Sequence, residues 1–305
     1  MIHAQQCEPD FGDFFATTGD KSAVMLRWLG QAGFALAFGA TRLLIDPYLS
    51  NSLAMKYQNS EFPHVRLMPP PIEPQDVPEI GFVVCTHRHS DHMDPGTLPV
   101  IAARYPQCRF FVPRAEIQAA LSMGIPAERI IGINAGESFP LEDGLRLSAI
   151  PAAHEDLTRN SAGEYVALGY VFETPDVRIY HSGDCVPYPG LSDQLRGREI
   201  DIALLPVNGR NPSLTARGIP GNFTFDEAAA LCRAARIPWL IPHHFGMFAF
   251  NSADPAELER KRSECGGQLR CLLPDTQRWI KAENVPGVSG MDRLSLLGNP
   301  APLLL

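Results

Sequence analysis

Four of six consecutive residues in one segment carry side chains that can bind a metal ion: His87, His89, Asp91 and His92. The segment directly follows GFVVCT (81–86), a short apolar run typical of a buried strand. Alternate residues that leave a strand end point the same way, so the first two histidines can bind one ion together. The aspartate and the third histidine can supply ligands for a second ion. Because imidazole with carboxylate suits zinc, iron or manganese, the spacing predicts a transition-metal centre.

Three further segments with the character of strands end in residues of the same kind. His154 follows LRLSAIPAA, Asp184 lies in IYHSGD, and His243 and His244 end WLIPHH. Donors that four strand ends deliver to one edge are what a two-metal hydrolytic site requires, with an aspartate bridging the ions. The predicted chemistry is hydrolysis by a metal-bound hydroxide, with Asp91 as both ligand and general base.

Four motifs in this order resemble those of the metallo-β-lactamase superfamily: THRHSDH, PAAHE, YHSGD and IPHHF. Other segments are similar to the L-ascorbate-6-phosphate lactonase-like branch of metal-dependent hydrolases: WLGQAGF, LLIDPYLSNS, GYVFETP and IDIALLPVNGR. The resemblance covers roughly residues 24 to 260 and implies an αββα four-layer sandwich and a sugar-phosphate-like lactone as substrate. The named lactonases are longer, with an insertion after the region that matches LLIDPY, so their substrate transfers less directly than their fold.

The resemblance also implies which residues bind which ion. One ion would be bound by His87, His89 and His154. The other would be bound by Asp91, His92 and His244, with Asp184 between the two ions. Two zinc or manganese ions per chain are expected, with iron as an alternative. The choice of His244 over His243 rests on the family spacing from Pro242.

Three residues beside these ligands are expected to support them. His243 is expected to donate a hydrogen bond to a neighbouring carbonyl. Asp46, at the end of LLID, is expected to orient a ligand histidine, the alternative being a turn aspartate before Pro47. His181 stands at an odd offset from Asp184 on a strand, so we expect it to pack or to form hydrogen bonds beneath the site.

Substrate contacts are expected in the loop that follows the apolar strand IDIALLPVN (200–208). Asn208 and Arg210 lie at the same edge as the metal ligands, and a guanidinium there can hold a phosphate or carboxylate bidentately. Arg217 comes later in the loop, where a solvated charge is the commoner explanation.

The remaining pattern predicts the elements that position these residues. Strands are expected within 24–38, 41–46, 81–86, 109–113, 130–150, 165–181, 200–208 and 239–244. Helices are expected at 95–105, 114–123, 225–236 and 254–265. The six prolines of residues 61–80 predict a surface connection. The order suggests two β layers covered by helices, in one domain at 24–280 between an N-terminal extension (1–23) and a C-terminal tail (281–305).

Composition limits the partners. The 305 residues carry a net charge of −8, which argues against a nucleic-acid surface. No signal-like start or spanning apolar run is present, and the seven cysteines form no CxxC pair, which favours reduced, buried thiols in a cytoplasmic protein without a membrane partner. A small-molecule substrate is expected, and assembly into a homo-oligomer stays open.

Other functions use the same residues. A phosphodiesterase of the nuclease or phospholipase-D kind would need the same site, and Phe245, Met247, Phe248 and Phe250 would line a lipid groove unless they pack in the core. A redox di-iron protein usually wants a carboxylate where His89 stands. A non-catalytic binding module would not need so complete a ligand set.

Overall fold

The computed structural model describes residues 4–7, 23–283 and 296–297 of the chain. Two β-sheets lie face to face, with helices on their outer surfaces. This arrangement confirms the predicted αββα sandwich. The predicted N-terminal extension and C-terminal tail fall largely outside the described residues, so the domain limits stay a prediction.

The first sheet has nine strands in the order β16-β1-β15-β2-β3-β4-β5-β6-β7. Its strands are β1 (Ala4–Cys7), β2 (Ala23–Gly30), β3 (Gly33–Phe38), β4 (Thr41–Ile45), β5 (Phe82–Val84), β6 (Arg109–Pro113), β7 (Ile130–Ile133), β15 (Trp279–Glu283) and β16 (Leu296–Leu297). The second sheet has seven strands in the order β14-β13-β12-β11-β10-β9-β8. Its strands are β8 (Ser138–Pro140), β9 (Arg146–Pro151), β10 (Leu168–Glu173), β11 (Arg178–His181), β12 (Ile202–Pro206), β13 (Trp239–His243) and β14 (Arg270–Cys271).

In the described part of the chain, seven α-helices connect these strands or cover them. They are α1 (Ser52–Lys56), α2 (Leu98–Arg104), α3 (Ile117–Ser122), α4 (Leu191–Arg196), α5 (Pro212–Thr215), α6 (Phe225–Ala235) and α7 (Pro255–Glu264). Single 3₁₀ turns lie at Pro74–Asp76, Arg114–Glu116, Ala127–Arg129 and Glu142–Gly144. Within the described chain, no helix is long and apolar enough to cross a membrane.

Strand β5 illustrates why the sandwich has four layers. Its three residues are all buried, but they face two different cores. Phe82 and Val84 pack into the large core between the sheets, whereas Val83 joins a second core with Leu98 and Ile101 of α2. Successive strand side chains point to opposite faces, so a continuous apolar run needs a cover on both sides.

Parallel pairing brings the functional strand ends to one edge. Strands β4, β5 and β6 are parallel neighbours in one sheet, as are β11, β12 and β13 in the other. Strand β9 runs in the same direction as β11, because each is antiparallel to β10. Segments that leave β4, β5, β9, β11, β12 and β13 therefore emerge at the carboxyl ends of their strands, where open α/β sheets commonly bind ligands.

The structure agrees with one local prediction and shifts the start of one predicted helix. Residues 61–80 form no strand or α-helix, as their prolines predict. The helix predicted at 95–105 begins later, at Leu98, with Pro99 in its first turn. The side chain of Asp94 accepts hydrogen bonds from the Gly96 amide and the Thr97 hydroxyl, and these bonds hold the preceding residues in a turn.

Candidate metal centre

Three histidine rings form one half of the centre, which we call the imidazole side: His87, His89 and His154. Nδ1 of His89 lies 3.0 Å from Nε2 of His87 and 3.0 Å from Nε2 of His154. The three nitrogens all lie within 4.8 Å of one another, close enough to share an ion. His87 is buried after β5, whereas His89 is exposed at the mouth of the site.

The rings of the imidazole side favour the neutral form. Burial lowers the pKa of His154 to about 4. Burial, together with the neighbouring histidines, holds the pKa of His87 well below its usual value. Partial loss of hydration also lowers the pKa of His89. Neutral imidazoles keep a free lone pair, which is the form that binds a metal.

The other half, which we call the carboxylate side, combines two aspartates with two histidines: Asp91, His92, Asp184 and His244. Asp184 reaches both rings, with Oδ1 3.3 Å from Nε2 of His92 and Oδ2 3.3 Å from Nε2 of His244. Oδ2 of Asp91 lies 3.8 Å and 3.7 Å from the same two nitrogens. Asp184 also groups with His87 and His92, so it stands between the two sides.

Charges on the carboxylate side shift the pKa values in the opposite direction. Burial alone would lower the pKa of His92, but Asp184, Asp46 and Asp91 raise it well above its usual value. Asp184 likewise raises the pKa of His244 against the effect of burial. Burial would raise the pKa of Asp184, but His244 and His92 hold it well below the usual range. The aspartates are therefore ionised at neutral pH.

Two buried polar atoms at the site indicate whether these residues suit a metal ion. Nε2 of His92 and Oδ1 of Asp184 make no hydrogen bond within the described part of the chain, although they lie 3.3 Å apart. Buried polar atoms are normally satisfied, so atoms without a partner need an explanation. A divalent cation that displaces the proton of His92 would satisfy both atoms, and nitrogen with carboxylate oxygen is a donor set of the kind that zinc, manganese and iron accept. The donor atoms of this site therefore fit a divalent transition-metal ion.

Asp46, which follows β4, supports both sides from behind. Its Oδ2 accepts a hydrogen bond from Nδ1 of His92 (2.7 Å) and another from the Thr86 hydroxyl (2.6 Å), and its Oδ1 accepts one from the Thr86 amide (2.8 Å). The Thr86 oxygen lies 3.1 Å from Nδ1 of His87. These contacts occupy the outer nitrogens of two histidines and leave their inner nitrogens facing the site, as metal-binding histidines require.

Strained backbone concentrates at this edge. Gln31, Asp46 and His244 have φ angles of 50°, 45° and 61°, although none of them is glycine. Such conformations cost about 1–3 kcal/mol each and persist only where the surroundings impose them. Gly183, beside Asp184, has φ 61°, and a Cβ there would lie 2.6 Å from Cβ of Thr86. Only glycine allows so close an approach.

The expectation for His243 is wrong. Neither of its ring nitrogens makes a hydrogen bond to a described residue. The ring lies within β13 and faces the core, where it stacks on His181 at 4.8 Å and meets the edge of Phe34. His181 makes the contact with a carbonyl instead, because its Nε2 donates to the Ala32 oxygen (2.8 Å). His244, the next residue, turns its ring into the carboxylate side.

Comparisons with known proteins agree with this geometry. The family model described as a beta-lactamase superfamily domain matches residues 41–245. A metal-dependent hydrolase of the UPF0173 group from Aeropyrum pernix is 31% identical over 269 residues, which are 82% of this chain and 94% of that protein. The chain belongs to the metallo-β-lactamase superfamily. Within it, the chain groups with metal-dependent hydrolases, and membership of the lactonase-like branch stays a prediction.

Two solved structures of other hydrolases share the fold of this chain. An isothiocyanate hydrolase from Delia radicum gut bacteria superposes with a TM-score of 0.67 at 21% identity, covering 84% of this chain and 97% of that chain. Igni18, a metallo hydrolase from Ignicoccus hospitalis, superposes with a TM-score of 0.63 at 21% identity, covering 86% and 100%. At this identity the likeness establishes the architecture alone.

The structure places one further polar residue at the site, which the sequence motifs did not predict as functional. Gln31, within the quoted motif WLGQAGF, is buried, and its Nε2 donates to Oδ2 of Asp91 (2.9 Å). The same nitrogen lies 3.0 Å from Nε2 of His244. The available signal was a lone amide between glycines in an otherwise apolar hairpin, since a buried amide needs partners.

Two of the predicted substrate contacts, Asn208 and Arg210, line clefts. Arg210 borders a cleft of about 750 Å³ together with Glu155, next to His154, and Val186, two residues after Asp184. Arg210 is already paired there, because its Nη2 donates to Glu227 and its Nη1 to the Asn222 carbonyl (2.9 Å).

Asn208 and Arg217 have partners of their own. Asn208 donates to the side chain of Asn251 (2.9 Å) and accepts from that of Asn222 (3.1 Å). Arg217 pairs with Glu61.

The aromatic residues considered for a lipid groove are mostly in the core. Phe245, Met247 and Phe248 are buried, and Phe250 is half-buried. Met247 and Phe248 pack with Tyr48 in a small apolar cluster. These side chains therefore offer no open apolar groove.

Proposed function

We propose that this protein hydrolyses the ring ester of a small anionic lactone at a centre of two divalent metal ions. The observation that carries the proposal is the convergence of seven metal-binding side chains in three triads that overlap at His87 and His92. His92 and Asp184 each leave a buried polar atom without a hydrogen-bond partner among the described residues. Membership of a family of metal-dependent hydrolases supports the reaction type. The lactone rests on sequence resemblance and on a cleft whose volume suits a small molecule.

The imidazole side would hold one ion through His87, His89 and His154. The carboxylate side would hold the other through Asp91, His92 and His244, with Asp184 in contact with both. Nitrogen-rich donors favour zinc or manganese, with iron as an alternative. Bound divalent ions would supply Lewis acidity, which polarises the ester carbonyl and lowers the pKa of water.

The chain's own residues supply the proton transfer and the orientation. The pKa of Asp91 is lowered, since the effects of His92 and His244 outweigh burial and the neighbouring Asp184. Its carboxylate is therefore in the form that accepts a proton from the attacking water. Asp46 keeps the inner nitrogen of His92 directed at the site while this happens.

Arg210 is the proposed contact for the anionic group of the substrate. Its guanidinium lies at the cleft that adjoins both His154 and Asp184 in sequence. The pair with Glu227 holds it in place, and a phosphate or carboxylate would compete with Glu227 for the same donors. Asn208, two residues earlier, would border the same group.

The test pairs elemental analysis with hydrolysis assays on protein purified without added metal. We expect about two equivalents of zinc or manganese, as a two-metal hydrolytic site requires. We also expect cleavage of a phosphorylated lactone. A second, uncharged lactone without the phosphate serves as the comparison substrate. Arg210→Gln should raise KM for the phosphorylated lactone about tenfold and leave KM for the uncharged one unchanged, because a charge-assisted pair contributes about 1.5–3 kcal/mol.

Other outcomes would contradict the proposal in distinct ways. Cleavage of a phosphodiester but of neither lactone would replace the substrate class with a phosphodiesterase of the phospholipase-D or nuclease kind. No bound metal, and none on titration, would exclude the metal-dependent reaction itself. Equal KM changes for both lactones would remove Arg210 from anion binding.

A further inference from the structure

The hairpin turn between β2 and β3 penetrates the metal centre. Residues 30–33 form this turn, which we call the Gln31 turn. Gln31 is 1% exposed with φ 50°, and Gly30 has φ 90°. A Cβ on Gly33 would lie 2.9 Å from the Asp46 carbonyl oxygen, so the turn lies directly against the end of β4. A polar side chain placed here is surrounded by residues of the candidate centre.

The backbone of the Gln31 turn fixes two histidines. The Gln31 carbonyl accepts hydrogen bonds from the backbone amide of His244 (2.8 Å) and from Nε1 of Trp28 (2.9 Å). The first bond supports the left-handed conformation of His244, whose φ is 61°. The next carbonyl, that of Ala32, accepts from His181 beneath the site. The turn therefore determines where the chain can place the ring of His244.

The side chain of Gln31 contacts His244 as well, together with Asp91. Its amide nitrogen donates to Oδ2 of Asp91 at 2.9 Å and lies 3.0 Å from Nε2 of His244. A buried amide that donates to a carboxylate forms a charge-assisted bond, which fixes the carboxylate plane as well as its position. Both of these partners, Asp91 and His244, belong to the carboxylate side.

We infer that Gln31 is a positioning residue that holds Asp91 and His244 in the geometry needed to bind the ion of the carboxylate side. Gln31 should leave the imidazole side unaffected, because its side chain contacts Asp91 and His244 and not the three histidines of that side. The inference rests on the proposed two-ion centre. It assigns Gln31 an effect on the affinity of one ion and not of the other.

The test measures metal affinity and not activity. Gln31→Met preserves the length of the side chain and removes its donor. We would introduce it into two backgrounds: His89→Ala, which retains only the carboxylate side, and His244→Ala, which retains only the imidazole side. Zinc affinity is measured by competition with a chromophoric chelator. We expect Gln31→Met to weaken zinc binding about 10- to 100-fold in the first background and less than about twofold in the second.

Trp28→Phe is the matched control. It removes the other hydrogen bond to the Gln31 carbonyl and leaves the amide in place, so zinc affinity should change by less than about twofold in either background. Thermal unfolding of each metal-free variant verifies that it is folded. For Gln31→Met, equal weakening in both backgrounds, or no weakening, would overturn the inference. A Trp28→Phe variant that reproduces the loss would assign the effect to the turn and also overturn it.

Failure of the proposed function gives a different result. In that case the parent protein, with Gln31 intact, fails to bind two equivalents of zinc. If the parent binds two equivalents and Gln31→Met binds them equally well, only the role of Gln31 is excluded.

Discussion

The imidazole side and the carboxylate side use similar residues but differ in charge and exposure. On the imidazole side, lowered pKa values keep three histidines neutral, and His89 is exposed. On the carboxylate side, two buried histidines have raised pKa values because ionised aspartates surround them. The first side is ready to bind a cation without releasing protons, whereas the second has its charges balanced by protons that a cation must displace.

The difference follows from the elements that supply each side. The imidazole side joins the loops after β5 and β9, and both His89 and His154 are partly open to solvent. The carboxylate side lies deeper, beneath the Gln31 turn and between the ends of β11 and β13. Ionic groups at that depth persist only when paired and hydrogen-bonded. Histidines on the two sides therefore have pKa values shifted in opposite directions, because only those of the carboxylate side lie against aspartates.

Removing one ligand from each side should affect folding very unequally. His244 is 3% exposed and paired with Asp184, so His244→Ala leaves a cavity and a less compensated carboxylate. We expect it to lower the free energy of unfolding of the metal-free protein by about 3 kcal/mol. His89→Ala, at an exposed position, should cost less than about 0.5 kcal/mol.

Urea unfolding of chelator-treated protein would measure both values. His243→Ala, which alters the neighbouring residue in the core without removing a proposed ligand, controls for cavity formation alone. Equal losses from His89→Ala and His244→Ala would contradict the contrast between the two sides.

The pH dependence of metal affinity should also separate the two sides. His92 and His244 have raised pKa values, so they keep their protons to a higher pH than an ordinary histidine and must lose them on binding. Affinity on the carboxylate side should therefore rise with pH, about tenfold per pH unit for each proton released, until the pH exceeds those pKa values. With the pKa of His154 at about 4 and the other two lowered, affinity on the imidazole side should change little between pH 6 and 8.

Zinc titrations of the His89→Ala and His244→Ala variants at pH 6, 7 and 8 would measure the two slopes separately. A flat profile in the His89→Ala variant would show that its remaining histidines are already neutral. A steep rise of zinc affinity with pH in the His244→Ala variant would show that the histidines of the imidazole side also release protons, and would contradict the contrast between the two sides.

The comparison also separates what sequence can predict from what it cannot. The segment from His87 to His92 can be recognised as metal-binding from sequence, because a short apolar strand followed by alternating donors is a local pattern. The buried strands β5, β12 and β13 are recognisable for the same reason, as continuous apolar runs. The αββα sandwich follows from these elements and from the family resemblance together.

The contacts that were missed join residues far apart in the chain. Gln31 meets Asp91 across 60 positions and His244 across 213, and no local pattern encodes either contact. The pair between Arg210 and Glu227, which lies 17 positions away on α6, is another contact that no local pattern encodes. Strand geometry alone also does not predict that the ring of His243 stacks on His181.

Asp46→Asn tests the support behind the carboxylate side with a change of almost no volume. The carboxylate of Asp46 accepts three hydrogen bonds from His92 and Thr86, and an amide in its place cannot accept all of them. We expect zinc affinity on the carboxylate side to fall about 10- to 100-fold, measured in the His89→Ala background.

Asp201→Asn is the matched control, since Asp201 is a buried aspartate that accepts from the Arg178 amide (2.9 Å) beside β11 and β12. It lies at the start of these strands, at the edge opposite the metal centre, so it should lower stability without changing zinc affinity. The imidazole side should respond weakly to Asp46→Asn, because Asp46 reaches His87 only through the Thr86 hydroxyl. Equal losses on both sides would mean that Asp46 supports the edge of the sheet as a whole, and equal losses from Asp201→Asn would mean that affinity follows stability and not the orientation of His92.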